Sequence, residues 1–272
     1  MNSSYSQASP AGSYGEYKYL LVSKVSDRVL RIALNNPKLN LLNSEMLDEL
    51  GSALDKVKDD PELFTVLITG EGNAFSAGAD VHIFTGDQAQ GLEFSRKAGS
   101  AFRKLLELPK VTVVEAKGYM LGGGFELSLA CDIRLSTPDA ILGLPEVTLG
   151  FIPGIGGFER LPRLIGISRA MELMLTGRRI TGKEAHEIGL VASLLGRDPD
   201  AEAVKYAESI ATTSAPIAAR FAKMLVNKAS EVPEDVGLEM ESTAFGMLFS
   251  TQDMKEGVSA LLQKRKPAFK GK

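Results

Sequence analysis

Hydrophobic and polar positions follow two rhythms along this chain. From Tyr17 to about residue 200, short apolar runs alternate with segments whose apolar residues recur at helical spacing. Val29-Leu30-Arg31-Ile32-Ala33-Leu34 reads as a strand, closed by the turn chemistry of Asn35-Asn36-Pro37. Leu47, Leu50, Leu54 and Val57 then share one helical face, with Asn43 or Ser44 in position to cap it. Phe64–Thr69 and Val111–Ala116 read as further strands, separated by a polar helix from about Gln90 to Leu106. Short strands near Ile133–Ser136 and Ala140–Leu142 follow a glycine triplet and another helix. Past Asp200 the strands stop. Ala201–Thr212, Ala215–Ala229, Pro233–Phe249 and Asp253–Lys264 all read as helices, with Ser214 as a cap and Pro216 in a first turn. This pattern predicts an α/β architecture with mostly buried strands, followed by an all-helical section. The run Phe245–Phe249 is apolar enough to require a cover from the chain or from another subunit.

Composition narrows the function classes. The chain has 272 residues, of which 44% are hydrophobic and 24% charged, so it can build a sizeable core. Its formal net charge of −3 offers no broad basic field, so no nucleic acid is expected as a partner. One cysteine makes no internal disulfide, and with two histidines it makes no ordinary structural zinc site, so no metal is expected. No apolar run approaches the ~20 residues that span a bilayer, so no membrane is expected either. The stretch from Met1 to about Glu16 is rich in Ser, Gly, Ala and Tyr and lacks Lys and Arg, so it reads as a disordered tail rather than a leader. The expected compartment is reducing, and the expected location cytoplasmic.

General catalytic motifs fail one by one. Gly154-Ile155-Gly156 opens a dinucleotide fingerprint, but Glu159 occupies its sixth position. Neither a phosphate loop nor a serine elbow is present. His82 and His186 lie in separate contexts and read as ordinary histidines, and Cys131 as an inert buried thiol. Two glycine-flanked elements remain: Ala74-Phe75-Ser76-Ala77-Gly78-Ala79-Asp80, and Gly118-Tyr119-Met120-Leu121-Gly122-Gly123-Gly124-Phe125-Glu126-Leu127. A helix starting inside the triplet would aim free N–H groups at an anion or at an oxygen becoming anionic; the alternative is a plain helix–strand packing contact. Glu126 and Glu146, the latter following Pro145, both stand in apolar company, where a carboxylate is costly unless bonded or functional. Two readings stand for them: separate salt bridges, or a pair sharing one water.

At these residues the sequence resembles the crotonase, or enoyl-CoA hydratase/isomerase, superfamily. The resemblance runs from about Tyr17 to Lys270. Its most specific parts are Phe75–Asp80, Leu121–Asp132, the stretch from Leu144-Pro145-Glu146 through Gly157, and the ending from Lys255 through Lys264-Arg265-Lys266 to Lys270. It implies a spiral of repeated ββα units over residues 17–200. A helical region, residues 201–272, would then build homotrimers, usually paired into homohexamers. It implies an acyl-CoA thioester as substrate, with coenzyme A entering as part of it and no separate cofactor. By motif position the backbone N–H groups of Ala79 and Gly123 would hold the thioester oxygen, and Glu126 and Glu146 would be catalytic. Ala77, Asp80 and Lys264 would contact CoA. Both glutamates are present, as in the family's hydratases, so the implied reaction is reversible hydration of a trans-2-enoyl-CoA to a 3-hydroxyacyl-CoA. The alternatives are an isomerase, a dehydratase, or an RNA-binding relative. His82 departs from the family pattern, since related hydratases often have lysine three residues after the oxyanion alanine. Phe84, Met120, Leu142 and Phe151 are candidates for a pocket lining, with core packing as the alternative.

Overall fold

The computed structural model describes residues 9–10 and 14–272. The expected tail, residues 1–16, therefore lies largely outside the described residues. Tyr14 is nevertheless buried, its hydroxyl donating to Asp60 and its carbonyl accepting from Lys56 Nζ at 3.0 Å. Ser9–Pro10 (β1) pairs antiparallel with Leu20–Ser26 (β2), which pairs antiparallel with Val29–Leu34 (β3).

From β3 onward one pattern repeats. Each pass contributes a parallel strand to a large sheet, then a short extended piece to a second layer, then a helix. After β3 come Leu42 and helix Ser44–Asp59 (α1); after Thr65–Gly70 (β4) come Ser76–Ala79 and helix Gln88–Glu107 (α2). Val111–Ala116 (β5) leads into Tyr119–Leu121 (β6) and helix Gly123–Leu129 (α3). Ile133–Ser136 (β7) leads into Ile141–Gly143 (β8), the 3₁₀ turn Pro145–Leu149, and helices Gly157–Ile165 (α4) and Ile167–Thr176 (α5). Ile180–Thr181 (β9), helix Gly182–Glu187 (α6) and Ser193–Leu194 (β10) close the series. The large sheet has the order β1-β2-β3-β4-β5-β7-β10, the small one β6-β8-β9. Parallel bridges Leu42 to Ala79 and Ser76 to Met120 carry the second layer back through the earlier passes. The expected spiral of ββα units is therefore present.

Local chemistry accounts for the elements. Asn43 is the cap of α1, accepting from Met46 N at 2.8 Å, and α1 buries Met46, Leu47, Leu50, Leu54 and Val57. The stretch read as a polar helix has a buried face after all, Phe94, Ala98, Ala101, Phe102 and Leu105, which packs on α1. Its reciprocal Asp87–Gln90 capping box starts it two residues earlier than expected. Strand residues alternate between two cores. Leu30, Ile32, Leu34, Val66, Ile68 and Val114 face α1–α3, while Val29, Leu67, Val113 and Leu135 face the other side.

Four helices follow: Pro199–Thr213 (α7), Pro216–Lys228 (α8), Glu234–Leu248 (α9) and Gln252–Leu262 (α10). α7 lies on the second face of the large sheet, with Ala203, Ala207 and Ala211 in the second core. The expected Ser214 cap is not made. Ala215 occupies the cap position without a side-chain bond, and Ser214 instead ends α7. Among the described residues no helix is long and apolar enough to cross a membrane.

α8 is tied to the spiral by one buried cation. Lys223 Nζ contacts Asp132 Oδ2 at 2.9 Å and donates to the carbonyls of Leu105 and Lys110, both at 3.0 Å. Asp132 in turn accepts from Thr112 N and Oγ1. Removing one partner of such a pair leaves the other charge short of compensation. Lys223→Met is expected to lower stability by about 3 kcal/mol, measured as a lower urea midpoint at pH 7.

Candidate active site

Four passes of the spiral converge at the start of α3. Gly122 caps that helix with φ +51° and ψ −128°, a conformation open to glycine, and a Cβ there would lie 3.2 Å from Glu146 Oε1. The short helix places Glu126 in its first turn, 1% exposed. Glu126 Oε1 accepts from Ile155 N at 2.7 Å and from Gly157 N at 2.9 Å. Burial raises the pKa of this carboxyl, and the N–H donors and the nearby Arg160 charge oppose that rise. Of the two readings the sequence left open, a salt bridge is not the one Glu126 adopts: its bonding partners are main-chain N–H groups.

Glu146 has the opposite environment. It sits on the 3₁₀ turn after β8, and its Oε2 is buried without a hydrogen-bond partner. Burial pushes its pKa up to about 7, with the Glu126 charge adding to the rise. Such a group gains and loses a proton near neutrality, as a general acid–base requires. One carboxylate is held from one side by donors; the other keeps a free oxygen.

The two expected backbone donors lie close together. The loop before α2 is fixed by Leu42 N donating to Gly78 O at 2.8 Å and Asp80 N donating to Leu42 O at 2.9 Å. Asn40, buried with φ +52°, donates through Nδ2 to the carbonyls of Glu71 and Ala74 and accepts from Ser76 Oγ at its own carbonyl. A Cβ on Gly78 would lie 3.6 Å from Gly123 N, and one on Gly123 would lie 3.7 Å from Ala79 N. Neither the Ala79 nor the Gly123 N–H donates to a protein carbonyl in the main-chain bonds described. Gly123 is the first residue of its helix, where an N–H has no intrahelical acceptor. Together they can receive an oxygen that gains negative charge during reaction.

The remaining candidates divide. Ala77 is adjacent to this loop, its N–H donating to Leu39 O at 2.9 Å. Asp80 is half-buried and caps the turn Val81–Thr85 by accepting from His82 N at 3.0 Å. Lys264 is exposed just past the end of α10, with no side-chain bond to these residues among those described. Met120 and Leu142 are core residues, whereas Phe151 is exposed. Cys131 is buried, and its thiol is pushed up to about 12, which makes it inert. His186 contacts Val191 O through Nδ1, away from the carboxylates.

The turn Pro153–Gly157 is among the motifs of the resemblance, but the sequence gives it no role. Its glycines open a dinucleotide fingerprint that Glu159 breaks at the sixth position. They do form an anion cradle, but the anion is the protein's own Glu126. Asn40 gave no chemical signal because its role is set by its backbone conformation.

The carboxylate pair predicts a pH signature. The ordinary glutamate value of 4.5 applies to the unfolded chain, while the folded Glu146 titrates near 7. The folded state thus binds this proton more tightly, and stability from this group declines as pH rises from about 4.5 to about 7. Glu146→Gln is expected to flatten that decline, measured as urea midpoints at pH 5 and pH 8. Glu126→Gln is expected to lower the Glu146 pKa in a ¹³C titration, because a neighbouring negative charge is removed.

Comparison with known proteins gives the family of the chain. The family model for enoyl-CoA hydratase/isomerase matches residues 24–272. The chain is 40% identical over 256 residues to a probable enoyl-CoA hydratase of Bacillus subtilis (strain 168), covering 91% of this chain and 97% of that one. It is 38% identical over 269 residues to the mitochondrial enoyl-CoA hydratase of Pongo abelii, covering 96% of this chain and 91% of that one. The crystal structure of an enoyl-CoA hydratase from Bacillus anthracis superposes with a TM-score of 0.90 at 38% identity, covering 94% of this chain and all of that one. A match this long takes in both glycine-flanked elements and both glutamates, and it places the chain in the enoyl-CoA hydratase/isomerase family, within the crotonase superfamily.

Proposed function

We propose that the protein adds water reversibly across a trans-2-enoyl-CoA to give a 3-hydroxyacyl-CoA. The observation that carries this reading is the pair of unlike carboxylates near two main-chain N–H groups that have no acceptor in the main-chain bonds described. The Ala79 and Gly123 N–H groups hold the thioester oxygen. Negative charge concentrates on that oxygen as the enolate forms, so fixed donors favour the transition state over the bound substrate. Glu126, oriented through Oε1 by Ile155 and Gly157, positions the water that adds at C3. Glu146, titrating near 7, exchanges the proton at C2.

The thioester supplies the acidity once its oxygen is stabilised, so the scheme calls on no metal or redox cofactor. Coenzyme A belongs to the substrate, with Ala77, Asp80 and Lys264 as its contacts. Within the same proposal the enzyme is cytoplasmic and binds neither nucleic acid nor membrane.

It also forms a homotrimer or homohexamer. Phe245, Met247 and Phe249 of the α9 end are 65%, 55% and 56% exposed, and Leu261 and Leu262 of α10 are 78% and 79% exposed. Exposed apolar surface of this extent favours burial between subunits. Light scattering at working concentration is expected to report a trimer or hexamer; an active monomer would remove the claim.

Hydration is followed as loss of enoyl absorbance, with 3-hydroxyacyl-CoA identified as product. Glu126→Gln and Glu146→Gln are each expected to slow it by about 10²–10⁴-fold while CoA binding persists. Glu126→Ala is expected to depress water addition far more than C2 proton exchange or double-bond migration, whereas Glu146→Ala depresses all three. Wild-type turnover by either folded glutamine variant would exclude that residue from the mechanism. Equal loss of hydration and isomerisation in Glu126→Ala would end the division of roles.

A further inference from the structure

The Glu126 cradle is itself held by side chains outside the catalytic pair. Arg160, in the first turn of α4, folds back over the turn it follows. Its Nη1 donates to Ile155 O at 2.8 Å. The guanidinium occupies the space above Gly156, where a Cβ would lie 2.2 Å from Nη1 and 2.6 Å from Cζ. Gly156 has φ +106°, which an L side chain rarely adopts, so the turn needs glycine for its backbone and for this overlay. From the other side, Ser95 Oγ of α2 donates to Gly154 O at 2.6 Å. The carbonyls of Gly154 and Ile155 are thus tied outward, and the N–H groups of Ile155 and Gly157 turn inward to Glu126.

From this geometry we propose that Arg160 is a positioning residue for Glu126, fixing the Gly154–Gly157 turn and placing a positive charge beside the carboxylate. Its use in hydration rests on the function proposed above; its effect on Glu126 does not. Two charged groups bear on Glu126, Arg160 from α4 and Glu146 from the 3₁₀ turn. Arg103 of α2, Glu159 of α4 and Cys131 bear on Arg160 in turn. The Arg160 charge opposes the rise that burial imposes on Glu126. Losing it raises the Glu126 pKa, which moves the acidic limb of the rate profile upward.

The test compares Arg160→Met and Arg160→Lys with the wild-type chain. In Arg160→Met, kcat for a short enoyl-CoA is expected to fall about tenfold or more with KM within about threefold. The acidic limb of kcat/KM and the ¹³Cδ titration of Glu126 are expected to move up together. Arg160→Lys keeps the charge without the planar fork, so its limb stays near wild type while kcat remains low. In a Glu126→Gln background, adding Arg160→Met is expected to slow turnover no further. A lower melting temperature with kcat, limb and titration unchanged would overturn the proposal, as would an equal loss in the Glu126→Gln background. If Arg160→Met fails to fold, Arg160→Lys decides: wild-type kcat in that variant overturns the proposal. Absence of wild-type hydration would sink the functional reading alone, since the Glu126 titration would still judge Arg160.

Discussion

Burying the Glu126 carboxylate takes a charged group out of water, and two main-chain N–H groups at 2.7 and 2.9 Å offset that cost. Much of the site follows from this one interaction. The donors come from a turn whose glycines bring its backbone close, and the turn leads directly into α4. Helix α3 must present Glu126 in its first turn, which fixes the start of α3 at Gly123. That start leaves the Gly123 N–H free to act beside Ala79. Placing the Glu126 carboxylate and leaving the Gly123 N–H without an intrahelical acceptor are therefore one structural problem, solved by one short helix.

The spiral topology explains why such distant segments meet. Each pass sets its extended second-layer piece against that of a neighbouring pass, as Leu42 against Ala79, Ser76 against Met120, and β6 against β8. Residues from 22 to 44 positions apart in sequence thus become neighbours in one layer. The Ala79 loop, Gly123 and Glu146 come from three consecutive passes. Their spacing is set by main-chain pairing, which is stiffer than any side-chain arrangement. A preorganised set of donors needs that stiffness, because its value lies in not having to reorganise as charge develops.

The two glutamates also show how environment separates the ionisation of identical side chains. Glu126 has its burial opposed by N–H donors and by Arg160. Glu146 has a buried oxygen without a partner and feels the Glu126 charge, so it is pushed up to about 7. Each carboxylate thereby influences the other, and a change at one propagates to the titration of its neighbour.

The strands Val29–Leu34 and Val111–Ala116 were legible to the residue and Ile133–Ser136 closely so, because short runs dominated by apolar and β-branched residues stand out between turn residues even where Arg31, Glu115 or Arg134 interrupts them. The four C-terminal helices were legible within a few residues for the equivalent reason at helical spacing. Glu126, Glu146 and the two glycine-flanked elements stood out because carboxylates in apolar runs and consecutive glycines are costly without a purpose. Other features depend on contacts between segments far apart in sequence. The α2 face that packs on α1, the placement of α7 on the second side of the sheet, and the bonding of Glu126 to Ile155 and Gly157 are of this kind. So is the difference between the two carboxylates, since burial and neighbouring charge exist only once the passes are stacked. The sequence by itself determined the order of the elements and which carboxylates stand in apolar runs; the tertiary structure decided which backbone N–H groups bond to Glu126, because a main-chain donor has no side chain to announce it.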